Sequence, residues 1–413
     1  MRSNYKKLGS FIRTVSIKNT DLKITKLLGV SITKKFIPSI ANTIGTDMSK
    51  YKVVKKNQFT YGSITSRNGD KISVALLEDD NAIVSTSYTV FEVTKQDQLL
   101  PEYLMMWFRR EEFDRYARYM SHGSTREAFG WEEMCDVELP VPSIEKQADI
   151  VKEYHTITDR IKLNEQLNQK LEDAAQSIYK EWFVNFEFPD ENGKPYKSNG
   201  GEMVYCDELD MEIPKGWQIC QIQDIAEVIK GKSYKSDELQ PSKNALVTLK
   251  SFQRGGGYKL DGLKEYIGTY KENQVVSNGD LIIAYTDVTQ EADVVGKPAL
   301  VIDNGDYKQL IISLDVGLIK PHDEDLKYFL YGLASTKIFQ EHTKSHATGT
   351  TVLHLGKDAV PKYKTFLPIE TLLKKYIDII KPIYQGVQFK TIENTKLENL
   401  KKVLLSKMAT IED

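Results

Sequence analysis

The side chains in this chain best suited to chemistry are cations and small hydroxyls set beside glycine. They occur as Ser121-His122-Gly123-Ser124-Thr125-Arg126, as Lys230-Gly231-Lys232-Ser233-Tyr234-Lys235 and as Ser251-Phe252-Gln253-Arg254-Gly255-Gly256-Gly257. Glycine lets backbone approach a phosphate or a base edge closely, and Lys or Arg beside it neutralises phosphate. That suits binding nucleic acid better than making bonds. The expected DNA-facing residues in the first half are Tyr61, Ser63, Arg67, Asn68, Ser124, Thr125 and Arg126. In the second half they are Lys232, Tyr234, Lys235, Arg254, Tyr285, Thr286, Thr348, Thr350 and Thr351. The plain alternative for each is an ordinary polar loop residue, and Tyr61 and Tyr285 read equally well as core aromatics closing a sheet.

Several enzyme chemistries are excluded by spacing. Neither glycine-lysine stretch fits a phosphate-binding P-loop, and no Gly-x-Gly-x-x-Gly occurs. An adenine methyltransferase grips its flipped base with an Asn/Asp-Pro-Pro-aromatic loop, yet no two of the 13 prolines are adjacent. Pro189-Asp190-Glu191 with Lys194 faintly resembles a nuclease pattern, but it sits in a Gly/Pro-rich turn rather than on adjacent strands. The six His show no ligand pairing, and Cys135, Cys206 and Cys220 lie far apart. The expectation is a chain with no catalytic residue, no metal site and no enzymatic activity of its own.

The net charge of -2 over 413 residues argues against non-specific coating of nucleic acid. Locally the picture differs. Met1 to Lys56 carries 13 Lys and Arg against Asp21 and Asp47 alone, an electrostatic footprint suited to phosphate. The charged fraction of 28% and aromatic fraction of 10% fit a folded globular chain. Scattered thiols, no apolar leader and no apolar run of membrane-spanning length predict a cytoplasmic protein.

Two long segments organise the rest. Val141–Trp182 and Leu367–Met408 coincide when shifted by 226 residues, so that Asn168-Gln169-Lys170-Leu171-Glu172 lies over Asn394-Thr395-Lys396-Leu397-Glu398. Apolar residues repeat at coiled-coil spacing in both. The frame places Ile150, Ile157, Asn164, Leu171 and Ile178 at d and Tyr154, Ile161, Asn168, Ala175 and Trp182 at a. An antiparallel pair meeting at mid-length would set Asn164 and Asn168 against Lys390 and Asn394, polar positions that fix register and partner. Pro382 and Gly386 predict a bend or break in the second helix. The globular stretches also repeat. Val275 to Leu281 lies over Val53 to Phe59, and Leu8-Gly9-Ser10-Phe11-Ile12 is set against Ile222-Gln223-Asp224-Ile225-Ala226. Helices expected from Leu100 to Met120 and from Leu326 to Thr343 each end in a Ser-His loop. The fold class is therefore α+β, with two globular α/β units separated by two long antiparallel helices that form an intramolecular coiled coil, a pseudo-twofold internal repeat.

At this point the chain resembles the specificity subunit of type I restriction-modification systems. The resemblance rests on Leu139-Pro140-Val141-Pro142-Ser143-Ile144-Glu145-Lys146-Gln147, Trp182 to Tyr196, Ile213-Pro214-Lys215-Gly216-Trp217, Lys230 to Lys235 and Gly279 to Ala284, in that order and nearly end to end. It implies target-recognition domains at 1–140 and 215–366, spacer helices at 141–183 and 367–413, and a linker at 184–214. It further implies that each domain reads one half of a split double-stranded DNA target while the helix pair sets the gap. Two modification (methyltransferase) subunits and restriction/translocase subunits are the implied partners. S-adenosylmethionine, ATP and Mg would reside on them, together with adenine-N6 methyltransferase and ATP-dependent endonuclease activity. The first unit lacks the Ile-Pro-Lys-Gly-Trp lead-in that the second has. The competing class is a coiled-coil interaction scaffold that binds no DNA.

Overall fold

The computed structural model describes residues 4–40, 45–66, 68–69, 71–123, 127–289 and 291–411. Arg67, Ser124, Thr125 and Arg126 lie outside them. Contacts divide the chain into two compact units, Met1–Leu163 with Asn394–Asp413, and Asn164–Glu393.

The first unit contains strands β1 (Tyr5–Lys7), β2 (Ile12–Val15), β3 (Leu28–Val30), β4 (Phe36–Pro38), β5 (Lys52–Val54), β6 (Gln58–Gly62), β7 (Ser73–Leu76), β8 (Ala82–Val84), β9 (Thr89–Val93) and β10 (Glu138–Pro140). Helices α1 (Pro101–Phe108), α2 (Glu111–Tyr119) and α3 (Trp131–Asp136) precede β10, and the long α4 (Ile144–Tyr179) follows it. An antiparallel sheet runs in the order β2-β9-β6-β7. Alternation along β6 sends Phe59 and Tyr61 to the face covered by α1 and α2. Phe59 stacks on Phe91 at 4.8 Å and meets the edge of Phe108 at 5.8 Å. A smaller core on the other side holds Leu28, Val54, Ala82 and Val90.

The second unit contains β11 (Met203–Cys206), β12 (Met211–Pro214), β13 (Gln218–Gln221), the short α5 (Ile222–Ile225), β14 (Ala226–Lys230), β15 (Asn244–Val247), β16 (Lys264–Glu265), β17 (Val275–Val276), β18 (Leu281–Ala284), β19 (Thr286–Asp287), β20 (Pro298–Leu300), β21 (Gln309–Ile312) and β22 (Val316–Pro321). Then come α6 (Leu326–Ser335), α7 (Lys337–Ser345), β23 (Ala347–Thr348), β24 (Leu353–Leu355), β25 (Lys364–Leu367) and the second long helix α8 (Glu370–Lys407). Its main sheet runs β14-β22-β18-β20, the same first-fourth-second-third order as in the first unit. In β18, Leu281 and Ile283 face the helices while Ile282 and Ala284 face a second apolar layer. Leu8–Ser10 forms a single tight turn where α5 stands in the second unit, so the expected alignment of these segments holds.

The turn into the central strand is the same in both units. Asn57 takes φ 66° and Gly279 φ 86°, the left-handed region. Asn57 N donates to Leu77 O at 2.8 Å, and Gly279 N to Val301 O at 2.7 Å. One residue on, the Gln58 side chain accepts from Lys55 N at 2.8 Å, as Asp280 accepts from Ser277 N at 2.7 Å.

Three expectations about where helices break need correction. The helix expected from Leu100 to Met120 breaks between α1 and α2, where Arg110 is extended (φ -71°, ψ 142°) and its guanidinium lies over Trp107 at 4.2 Å. The helix expected from Leu326 to Thr343 breaks at Thr336, whose hydroxyl accepts from Phe339 N at 3.2 Å and starts α7. Conversely, α8 runs unbroken through Pro382 and Gly386. Pro382 sits on the exposed side, where the lost amide bond is open to water, and Gly386 lies over Leu171.

The long helices run antiparallel within each unit. In the first unit Ile150 and Tyr154 of α4 share a core with Leu405 and Met408, and Asn394 Nδ2 donates to Ile161 O at 3.3 Å. In the second unit Trp182 and Phe183 pack on Tyr376 at ring distances of 5.9 and 4.8 Å. Asn164 Nδ2 there donates to Glu393 Oε2 at 2.8 Å and Asn168 Nδ2 to Thr391 Oγ1 at 3.1 Å. The expected meeting point is correct, and Asn164 and Asn168 bond there to Glu393 and Thr391. Lys390 stands in the same stretch and takes neither bond, because the true register brings position 391 opposite Asn168. Residues 184–214 are ordered against the second unit through Phe186, Phe188 and Ile213, with Phe188 stacked between Tyr196 (4.5 Å) and Trp217 (5.6 Å).

Candidate nucleic-acid interface

Three connections gather beside the central strand in each unit, and the scaffold builds them alike. One joins β3 to β4 in the first unit and β15 to β16 in the second. Another follows the central strand, over 63–72 and 285–297. A third follows α2 or α7, over 120–130 and 346–355. In the first unit the second and third are joined by Phe129 N to Ser63 O (2.8 Å), by Thr65 N to Glu127 O (2.9 Å) and by the Thr65 and Ser121 hydroxyls (2.9 Å). In the second unit Leu355 N donates to Tyr285 O at 2.8 Å, and β19 pairs with β24. The first connection comes alongside the second there, through Gly255 N to Asp293 O (3.5 Å) and Gly257 N to Pro298 O (3.1 Å). It is short in the first unit, Ser31 to Lys35, and long in the second, Thr248 to Leu263.

A buried carboxylate shapes the second connection of the second unit. Asp287 accepts from Thr289 N and Thr289 Oγ1 at 2.8 Å each, from Val294 N at 2.5 Å and from Val295 N at 3.0 Å. Burial raises its proton affinity, and the three amides with the Thr289 hydroxyl overcome that, leaving the carboxyl below its ordinary range. The loop is thereby folded around an anion that does not face solvent. Nearby, burial and then the Lys344 charge lower the proton affinity of Lys297.

The structure sorts the expected DNA-facing residues into four groups. Tyr61, Tyr285 and Thr286 are 1%, 5% and 5% exposed and present almost no side-chain surface, so their expected outward role is corrected. Tyr61 lies edge-on to Phe91 in the apolar core, and burial pushes its hydroxyl up to about 12. Burial likewise raises Tyr285, whose ring lies under Lys230 Nζ at 5.5 Å, and Thr286 donates to Asp315 at 3.0 Å. Ser63, Arg254, Thr348, Thr350 and Thr351 lie on the gathered connections with surface open to solvent. Asn68 lies there too, closing a turn by donating from Nδ2 to Ile64 O at 3.3 Å. Lys232, Tyr234 and Lys235 form a separate cluster in the second unit. There Lys232 N donates to Ile312 O at 2.8 Å, and Lys264 Nζ donates to the Tyr234 hydroxyl at 3.1 Å. Arg67, Ser124, Thr125 and Arg126 are the residues not described.

Sequence reasoning missed the residues that hold the connections in place. Asp114 and Gln340 are buried on α2 and α7, in equivalent positions beside Phe113 and Phe339. The 226-residue offset already aligns these two polar residues on otherwise apolar faces. Exposed hydroxyls, amides and cations on convergent loops can read base edges and hold phosphate. Among the described residues no cluster of three His, Cys, Asp or Glu is placed to hold a metal. No described helix is long and apolar enough to cross a membrane.

Known proteins are similar to this chain in sequence and in fold. The chain is 26% identical over 341 residues to the type I restriction enzyme MjaIX specificity subunit of Methanocaldococcus jannaschii, covering 79% of this chain and 72% of that protein. It is 22% identical over 410 residues to the HindI specificity subunit of Haemophilus influenzae, covering 86% of each. Its fold is similar to the crystal structure of a type I restriction-modification S subunit from M. genitalium, with a TM-score of 0.56, 15% identity, and coverage of 99% of this chain and 96% of that one. The family model for the type I restriction modification DNA specificity domain matches twice, over residues 6–173 and 214–401. One match falls on each copy of the repeated sheet with its three connections, and the chain belongs to that family.

Proposed function

We propose that this chain is the sequence-specific DNA-reading subunit of a type I restriction-modification assembly, each unit reading one half of a split target. The carrying observation is one scaffold built twice, with the same strand order and the same entry turn, bearing connections of different length and chemistry. Two readers with one architecture and two surfaces suit a target whose halves differ. Lys and Arg on the rims would hold phosphate, and the Thr, Ser and Asn side chains would face base edges. The paired helices would set the spacing between half-sites and dock two modification subunits. S-adenosylmethionine, ATP and Mg would be bound by those partners and by the restriction/translocase subunits, in the cytoplasm, and the chain itself would contribute no catalytic residue.

Single-molecule mapping of N6-methyladenine in the source genome, with and without the gene, tests this. The expected result is loss of one split motif carrying a methylated adenine in each half. An unchanged methylation map would sink the reading and favour a protein-binding scaffold.

A further inference from the structure

Asp114 on α2 and Gln340 on α7 occupy the same place in the two units, and both grip the same link of the connection that follows the central strand. Asp114 Oδ1 accepts from Ile72 N at 3.1 Å, just before β7. Gln340 Nε2 donates to Gly296 O at 2.7 Å, just before β20. Ile72 and Gly296 are equivalent residues, each two positions before a strand residue paired alike with the central strand, Val74 with Tyr61 and Pro298 with Ile283. One unit holds this residue by its N–H and the other by its C=O. Gly296 takes φ 74°, a value that suits glycine, whereas Ile72 is not in that region.

Asp114 has a second duty. The same Oδ1 receives Lys34 Nζ at 2.5 Å, and both side chains are nearly buried. Lys34 sits in the β3–β4 turn at φ 61°, so the turn adopts a strained conformation that sends this lysine inward over Phe113. Thr33 and Lys35 beside it stay exposed. Burial lowers the proton affinity of Lys34, and Asp114 opposes that. A buried ion pair of this kind is weak evidence for stability, since apolar pairs of similar size often replace one without loss. It does fix geometry, here of two connections at once.

We infer that Asp114, with Lys34, and Gln340 are positioning residues for sequence reading, each setting the shape of its own unit's DNA-facing connections and so the base discrimination in one half of the target. This rests on the DNA-reading function proposed above. Neither residue touches DNA; each acts through the loops it holds.

The test places three variants at the chromosomal gene: Lys34→Met with Asp114→Leu, Gln340→Leu, and Asp114→Asn. N6-methyladenine is then mapped, and the melting temperature of each purified full chain is measured. The double variant should retain methylation at the original motif but accept other bases, with discrimination falling at least tenfold in one half only. Gln340→Leu should degrade the other half only. Asp114→Asn keeps an acceptor for Ile72 N and removes the charge facing Lys34, so it should relax the same half as the double variant, but less. An unchanged motif in all three variants would overturn the inference. Equal loss in both halves, or loss that tracks melting temperature, would overturn it as well, since a merely structural role predicts that. If the unmodified gene yields no gene-dependent motif, the DNA-reading function fails first, a separate and recognisable outcome.

Discussion

The two units share a skeleton and differ in how they satisfy it. At the start of α4, Gln147 is fully buried; it accepts from Leu100 N at 2.9 Å and donates to Gln98 O and Pro142 O at 2.8 and 2.9 Å. The equivalent position in α8 is Leu373, packed into the apolar core. The shared Asn-x-Lys-Leu-Glu ends in Glu172 in one helix and Glu398 in the other. Glu398 is bridged to Lys401 at 2.6 Å, while Glu172 lies beside Asp173, Tyr331 and Tyr384, with no cation against it among the described residues. A repeated backbone therefore leaves an equivalent position free to carry a polar anchor in one copy and apolar core in the other.

Exchanging residues across the repeat should break this equivalence, most severely where a polar anchor is replaced by its apolar counterpart. Gln147→Leu would remove the side-chain partner of one part-buried N–H, one part-buried carbonyl and the buried Pro142 carbonyl. It should lower stability by about 3 kcal/mol, read as a fall in the urea midpoint. A midpoint shift below a third of that would mean that water replaces the amide.

Glu172 offers the next largest effect. Burial, then the Asp173 charge, push its carboxyl up to about 7, above the ordinary value near 4.5. A raised carboxyl is protonated more readily in the folded state, so its burial is harmless below about pH 4.5. The stability it permits is lost as the pH climbs through 7. Glu172→Gln should therefore be nearly neutral at pH 4.5 and stabilising by about 2 kcal/mol at pH 8, after allowance for partial solvation. Parallel stability-pH curves for variant and parent would refute this.

The smallest effect sharpens the comparison of the helices. Gly386 is the interior glycine of α8, and a Cβ placed there would lie 3.7 Å from Leu171 Cδ1, an ordinary contact. Gly386→Ala should stabilise by up to about 1 kcal/mol, visible as a small rise in melting temperature. Destabilisation would show that the helices pack closer than this geometry allows.

Much of the architecture was legible because it depends on periodicity. The heptad frame, the 226-residue shift and the antiparallel meeting point near Asn164 and Asn168 follow from spacing alone. What failed depended on single capping or tertiary events. Arg110 and Thr336 interrupt helices whose hydrophobic pattern continues across the break. Pro382 lets α8 continue because its face is open to water. In the candidate site, spacing led to exposed loop residues such as Arg254 and Thr350. Burial then removed Tyr61, Tyr285 and Thr286, since alternation along a strand cannot tell a rim from a core when both faces are covered. Asp114 and Gln340 escaped notice because each reads as an ordinary polar helix residue until its distant backbone partner is known.

The turn before the central strand has a consequence for descent. Asn57 and Gly279 differ, as do Gln58 and Asp280, yet each pair makes the same two bonds to the same places in the sheet. A substitution history can thus erase the letters while the amide connections persist as a fossil of the ancestral half-chain. Kinship between such halves in other proteins is better sought in which amides meet than in which residues match.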